Sequence, residues 1–365
     1  MRPGPDELDA VRDEATAAMG AWGAPAGAWQ VVGVVRGSLG AELRPVVAFE
    51  DQRYVVRRQP PDLREDDAHF RHAFMRHLRG EGLPVPPLRA RPSGGTYAVV
   101  AGEIYELQAW LGGAPYDPDG PDTTRQIAAA ATTLGALHQA SAVYAGEPSR
   151  WPEGRSPQAV ASAYLDLIQR AAARDDITPA VAAATTRIAE SAAERIAAAS
   201  QALGVVPGPP ELHIHGDYQP RNLAFGADDT TAVYDFDAVH WARRLDELAY
   251  ALLAFTGVRE RAEGPAEPLA GDGLDILRAH AFLHAYGQVA PPAEDEAPLL
   301  GDAIALLFPV VVANGIAEDL MFADDYGGPP PEAEILPRLE WADAFWLWLD
   351  RYRGVLAEAW AAAEG

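Results

Sequence analysis

Residues with the two-residue period of β-strands lie before Leu111 in this chain, and helical spacing takes over from Thr123. Trp29 to Arg36, Pro45 to Glu50 and Tyr54 to Arg57 alternate and are rich in β-branched residues, with turns at Gly37-Ser38-Leu39-Gly40 and Asp51-Gln52. They predict an antiparallel meander. Tyr97 to Val100 and Ile104 to Trp110, around Gly102, extend it to a five-stranded sheet. Asp66 to Arg79 inserts a helix with Phe70, Phe74 and Leu78 on one face. The later chain reads as helices over Ile127–His138, 158–203, Leu245–Phe255, 274–286, 295–316 and 333–362. Strands segregated from helices in this way specify an α+β architecture: a small antiparallel sheet domain, then a large, mainly helical one. The expected divisions are 1–28 as an N-terminal extension, 29–108 as the small domain and 109–365 as the large one.

One short stretch interrupts the helical part. His215-Gly216-Asp217-Tyr218-Gln219-Pro220-Arg221-Asn222 is followed by Val233-Tyr234-Asp235-Phe236-Asp237, with apolar runs at Leu212/Ile214, Leu223–Phe225 and Thr231–Tyr234. The turn residues Gly226-Ala227-Asp228-Asp229 predict a hairpin that brings Asn222 and Asp235 together. An Asp, then an Asn, then a further Asp suits phosphoryl transfer from a metal nucleotide. Asp217 orients and deprotonates a hydroxyl, and Asn222 and Asp235, with Asp237 beside them, offer hard oxygens to Mg²⁺ against the phosphates of ATP. Arg221, inside the loop, is placed to stabilise charge on the transferred group or to pair with Asp217. His215 is expected to brace the loop.

The pattern HGDxxxxN followed by DFD resembles the aminoglycoside phosphotransferase and choline kinase superfamily over roughly residues 30 to 290. Gly82–Pro86, Gly102–Leu107 and Phe282–Tyr286 look most like its homoserine-kinase-like branch. The resemblance implies a protein-kinase-like bilobal fold, ATP and Mg²⁺ as cofactors, Asp217 as catalytic base, and Asn222 and Asp235 as metal ligands. It implies that Asp246 braces the catalytic loop and that Arg57 stands at the position of the strand lysine, with Arg58 the alternative. A nucleotide-covering turn would lie at Ser38 and Gly40, and a hinge at Glu106–Ala109, with Glu106 and Gln108 at the nucleotide. The helix glutamate that would pair with the strand cation is missing from its expected place at Arg71 or His72; Glu65 and Asp67 are the substitutes. Glu318 and Asp319 are candidate contacts to an amine-bearing substrate.

Composition restricts the chemistry further. There is no cysteine, which excludes disulfides and thiolate metal sites. There is also no lysine, so a Lys-dependent phosphate loop and Schiff-base catalysis are excluded. A net charge of −24 repels nucleic acid and favours cationic small molecules. No apolar run spans a membrane and no secretory leader core opens the chain, so a cytoplasmic location is expected. The acceptor is expected to be a small-molecule hydroxyl on an amino alcohol, amino acid or aminoglycoside-like compound, or else a Ser/Thr of a peptide. Rival readings are a nucleotide-binding pseudokinase or scaffold, motivated by the absent lysine, and a metal hydrolase built on His213, His215, Asp217 and Asp235.

Overall fold

In the computed structural model the described residues are 11–36, 43–59, 63–147, 157–204, 208–227, 229–259, 267–309, 314–321 and 328–362. The chain forms two compact units. One comprises Met1–Ala114 with Thr231–Asp237, the other Pro115–Thr230 with Ala238–Gly365.

The first unit is built on a five-stranded antiparallel sheet of β1 (Trp29–Arg36), β2 (Leu43–Phe49), β3 (Gln52–Arg58), β4 (Tyr97–Val100) and β5 (Glu103–Ala109), in the order β1-β2-β3-β5-β4. Strand alternation gives it two unlike faces. Val47, Phe49, Tyr54, Val56, Tyr105 and Leu107 point one way and pack with Ala15, Ala18, Met19 and Trp22 of and beside α1 (Arg12–Ala21). Residues 11–28, part of the expected N-terminal extension, therefore contribute to this core. The opposite face presents Arg57 of β3 and Glu106 and Gln108 of β5, all buried, and α2 (Glu65–Gly80) supplies Arg71 and His72 to them.

Two predicted features shift. β5 stays paired with β3 through Ala109, opposite Tyr54, so the expected hinge at Glu106–Ala109 is interior sheet. The unit boundary falls at Ala114 rather than 108. The segment 231–237 docks on the first unit by backbone and side chain. Val233 N–H donates to the Pro84 carbonyl at 2.9 Å, the Tyr234 hydroxyl donates to the Leu111 carbonyl at 2.8 Å, and Phe236 meets Phe74 edge-on at 6.5 Å.

The second unit is mainly helical. Its helices are α3 (Thr123–Ala142), α4 (Pro157–Ala172), α5 (Pro179–Leu203), α6 (Arg244–Leu252), α7 (Ile276–Val289), α8 (Leu300–Phe308), α9 (Asn314–Met321) and α10 (Glu332–Ala361). The stretch 158–203, expected to form one or two helices, forms two, α4 and α5. Thr178 caps α5 and Pro179 opens it, a combination that starts a helix and cannot continue one. The tryptophans at 341, 346, 348 and 360 are core: Phe308 stacks on Phe345 at 3.9 Å and meets Trp346 at 4.8 Å. No helix among the described residues is long and apolar enough to cross a membrane.

Candidate active site

The loop expected to be catalytic leaves β6 (Glu211–Ile214), which pairs with β7 (His240–Arg243). Gly216 has φ +81°, and a Cβ there would lie 2.2 Å from the Ala238 carbonyl oxygen, so only glycine fits. Glu247 on α6 anchors the loop. Its carboxylate accepts the His215 N–H at 3.0 Å and the Gly216 N–H at 2.6 Å, and meets His138 Nε2 at 2.9 Å. His138 Nδ1 in turn contacts the Tyr286 hydroxyl at 2.7 Å. Burial would raise the Glu247 carboxyl, but His138, the charge near His215 and the backbone N–H hold it below its ordinary value. The expectation for Asp246 is thus corrected by one position. Adjacent residues on a helix point about 100° apart; Glu247 faces the loop, whereas Asp246 binds Arg243 at 2.9 Å.

Asp217 is held on several sides. Its backbone N–H donates to His215 Nδ1 at 3.2 Å, which fixes that ring nitrogen as an acceptor. Oδ1 accepts the Tyr250 hydroxyl at 2.6 Å and the Gln219 amide. Asn222, in a 3₁₀ turn (Pro220–Asn222), donates Nδ2 to Asp217 Oδ2 at 2.8 Å and to its carbonyl at 2.8 Å. A carboxylate offers about four acceptor directions. Among the described residues three are used, and the remaining one lies on Oδ2. Gln219 and Tyr250 were not read as site residues from the sequence. Gln219 had a signal, since it sits inside the motif, but Tyr250 joins from α6 and had none. Arg221 is exposed on the turn.

In the first unit, Arg57 is wrapped by carboxylates. Nη2 donates to Asp235 Oδ1 at 2.8 Å and to Asp237 Oδ2 at 2.6 Å, and Nη1 lies 3.5 Å from Glu106. Arg71 takes the other oxygen of Asp237 at 2.7 Å and meets Glu106 at 3.0 Å. His72 Nε2 meets Glu106 at 2.7 Å. The partner of the strand cation is therefore neither Glu65 nor Asp67. Glu65 accepts the Tyr97 hydroxyl at 2.6 Å, and Asp67 caps α2 through the Arg64 N–H at 3.1 Å. The carboxylate comes from β5, directly opposite Arg57 in the ladder, and the helix supplies a second cation. Burial would lower the Arg57 pKa, but Asp237, Asp235 and Glu106 outweigh it and raise it. Burial would likewise raise Glu106, yet Arg71, His72 and Arg57 hold it well below the carboxylate range.

Asp235 carries its carboxylate on a left-handed backbone, φ +65°, a conformation Asp tolerates better than most residues. Arg44 of β2, which the sequence did not single out, comes to 3.9 Å of Asp235 Oδ2. Both oxygens of Asp237, expected at the metal, bind arginines: Oδ2 binds Arg57 and Oδ1 binds Arg71. Glu106 and Gln108, expected at the nucleotide, instead bind inward, Gln108 Nε2 donating to Glu106 at 2.6 Å. Arg58, on the opposite face from Arg57, is exposed. Asp319 pairs with Arg338 at 2.6 Å. Ser38, Gly40 and the side chain of Glu318 lie outside the described residues. The hydrolase set is not assembled: His213 lies edge-on to Tyr144 at 5.3 Å and Trp241 at 5.0 Å, and its Nε2 contacts the Glu147 carbonyl at 3.2 Å.

The class these features define is confirmed by comparison. Residues 38–292 match the model of the phosphotransferase enzyme family, and the chain belongs to that family. Its fold is the protein-kinase-like fold of solved small-molecule kinases. Similar structures include the amicoumacin kinase hAmiN in complex with AMP-PNP, Ca²⁺ and Ami, at 12% identity and TM-score 0.61, covering 93% of this chain and 96% of that one. An aminoglycoside phosphotransferase from Alicyclobacillus acidocaldarius is similar at 15% identity and TM-score 0.63, covering 95% and 96%. A microcompartment-associated aminopropanol kinase is similar at 12% identity and TM-score 0.61, covering 89% and 93%. No curated protein matches the sequence. The family match does not select the homoserine-kinase-like branch within the superfamily.

Proposed function

We propose that this phosphotransferase moves the γ-phosphoryl group of Mg·ATP to a hydroxyl of a small molecule. The observation that carries this reading is the Asp217 carboxylate, fixed by Asn222, Gln219 and Tyr250 with one acceptor direction left on Oδ2. A hydroxyl held there is oriented for attack, and alignment supplies most of what a loose phosphoryl-transfer transition state needs.

The residues present suit a metal nucleotide. Arg57 sets a guanidinium against Asp235 at 2.8 Å, a fixed positive charge where the resemblance places the strand lysine. Asp235 offers a carboxylate oxygen to a hard cation, and Asn222 commits its Nδ2 to Asp217. When bound, the nucleotide would supply the phosphoryl group to the acceptor hydroxyl, with ADP as the leaving product, and Asp217 would hold that hydroxyl and take its proton. Glu247 and His138 keep the loop backbone in place during transfer. Arginine in place of the strand lysine keeps the positive charge, so the absence of lysine does not by itself favour a pseudokinase.

Calorimetric titration with Mg·ATP tests the proposal. Wild-type protein should bind, Asp235→Asn should bind more weakly, and Asp217→Asn should bind normally but lose transfer by about 10²–10⁴-fold. Normal turnover in both variants would sink the assignment.

A further inference from the structure

Arg44 and Arg57 face each other across two strands of the small sheet. β2 and β3 pair with Val46 opposite Val55 and Val47 opposite Tyr54. Carried two residues beyond Val46, that register sets Arg44 opposite Arg57. Alternation turns both away from the apolar core formed by Val47, Phe49, Tyr54 and Val56. Like charges directly opposite each other destabilise a sheet. Here the Asp235 carboxylate separates them: Oδ1 binds Arg57 Nη2 at 2.8 Å, and Oδ2 lies 3.9 Å from Arg44 Nη1.

The two guanidiniums differ in how firmly they are held. Arg57 meets Asp235 at 2.8 Å, Asp237 at 2.6 Å and Glu106 at 3.5 Å, and its side chain is 3% exposed. To reach a ligand it would have to break ion pairs in a dry site, which leaves buried carboxylates uncompensated and is strongly unfavourable. The side chain of Arg44 is 14% exposed, and its distance to Asp235 exceeds that of a hydrogen bond. That contact balances charge without fixing the head group. Arg58 does not compete for a ligand on this face, because it lies on the other one.

We infer that Arg44, not Arg57, is the side chain that meets the phosphates of the nucleotide, and that Arg57 is a fixed strut of the sheet. The inference rests on the phosphotransferase reading, which brings the nucleotide to Asp235. A polyphosphate approaching a chain of net charge −24 needs a cation at the face it binds. Arg44 presents one beside the carboxylate expected at the metal, and its planar fork takes two phosphate oxygens at once. The resemblance gives phosphate binding to the β3 cation alone. On this reading the task is divided: β3 keeps the permanent charge, and β2 makes the contact.

Calorimetric titration of Mg·ATP into the full chain tests it, at low and high salt, with melting curves of the nucleotide-free proteins. Arg44→Gln should weaken Mg·ATP binding about tenfold or more and leave the melting temperature within about 2 °C of wild type. The wild-type affinity should fall more steeply with salt than that of Arg44→Gln, because the variant has one charge contact fewer to screen. Arg44→Lys keeps the charge beside Asp235 but not the fork, so it should lose about threefold; it carries the test if Arg44→Gln does not fold. Affinity equal to wild type in every folded variant, or a loss in Arg44→Gln with no change in salt dependence, overturns the inference and leaves the phosphotransferase reading in place. A wild type that binds no Mg·ATP at millimolar concentration overturns both.

Discussion

Gly216 is the position at which the backbone of the catalytic loop has least freedom. Any side chain there meets both a left-handed φ and the Ala238 carbonyl. Gly216→Ala is expected to cost about 1–3 kcal/mol of stability and to lower kcat more than it changes the affinity for Mg·ATP; thermal melts and steady-state kinetics check the two halves. Tyr250 lies at the other extreme, a single hydroxyl on a helix. Tyr250→Phe should fold normally and retain Mg·ATP binding while losing about tenfold in kcat, the cost of one charge-assisted hydrogen bond to Asp217. Unchanged kcat would show that Asn222 and Gln219 suffice to hold the carboxylate. The motif singled out Asp217, Asn222 and Asp235 as candidates in the sequence because their residue types and order are local. Glu247 was missed in favour of Asp246, because two neighbouring carboxylates on a helix are told apart only by which one faces the loop.

At the scale of elements, β3, β5 and α2 share one buried charge cluster. The alternation of β3 was readable, and the placement of Arg57 and Arg58 on opposite faces followed from it. The burial of Glu106 was not readable, because a glutamate in a strand ordinarily points to water and its partners lie on another strand and a helix. Glu106→Gln leaves Arg57 and Arg71 short of a carboxylate in a dry site, and should destabilise the protein by about 3–5 kcal/mol, measured by chemical denaturation. The same cluster sets an acid limit. Glu106 has a folded pKa far below its ordinary 4.5, so its contribution is complete above that pH and is lost as the pH falls below it toward the folded value. The melting temperature of the wild type should therefore fall on acidification through this range, and Glu106→Gln should show a flatter dependence. Equal slopes would remove Glu106 from the acid response.

For the whole molecule, the informative fact is that the first unit is not continuous in sequence. Thr231–Asp237 returns to it after more than a hundred residues of the other unit and brings both Asp235 and Asp237. A fragment of residues 1–114 would leave Arg57 and Arg71 without those two carboxylates. It should be largely unfolded by circular dichroism, and a cooperative melt equal to that of the full chain would contradict this. The α+β division was legible because strand and helix periods are segregated along the chain. The return segment's attachment was not, since Val233–Pro84 and Tyr234–Leu111 are long-range backbone and hydroxyl contacts with no period to reveal them.

The cation at the centre of the first unit is a guanidinium enclosed by three carboxylates and 2% exposed. Chemical probes that mark nucleotide sites by acylating a lysine amine from a bound ATP analogue have no nucleophile to react with at this position. Dicarbonyl reagents that modify accessible arginines are kept out by the same enclosure. On the proposed reading, a survey of cellular kinases by either labelling chemistry would pass over this site, and its occupancy would have to be read by binding heat or by product.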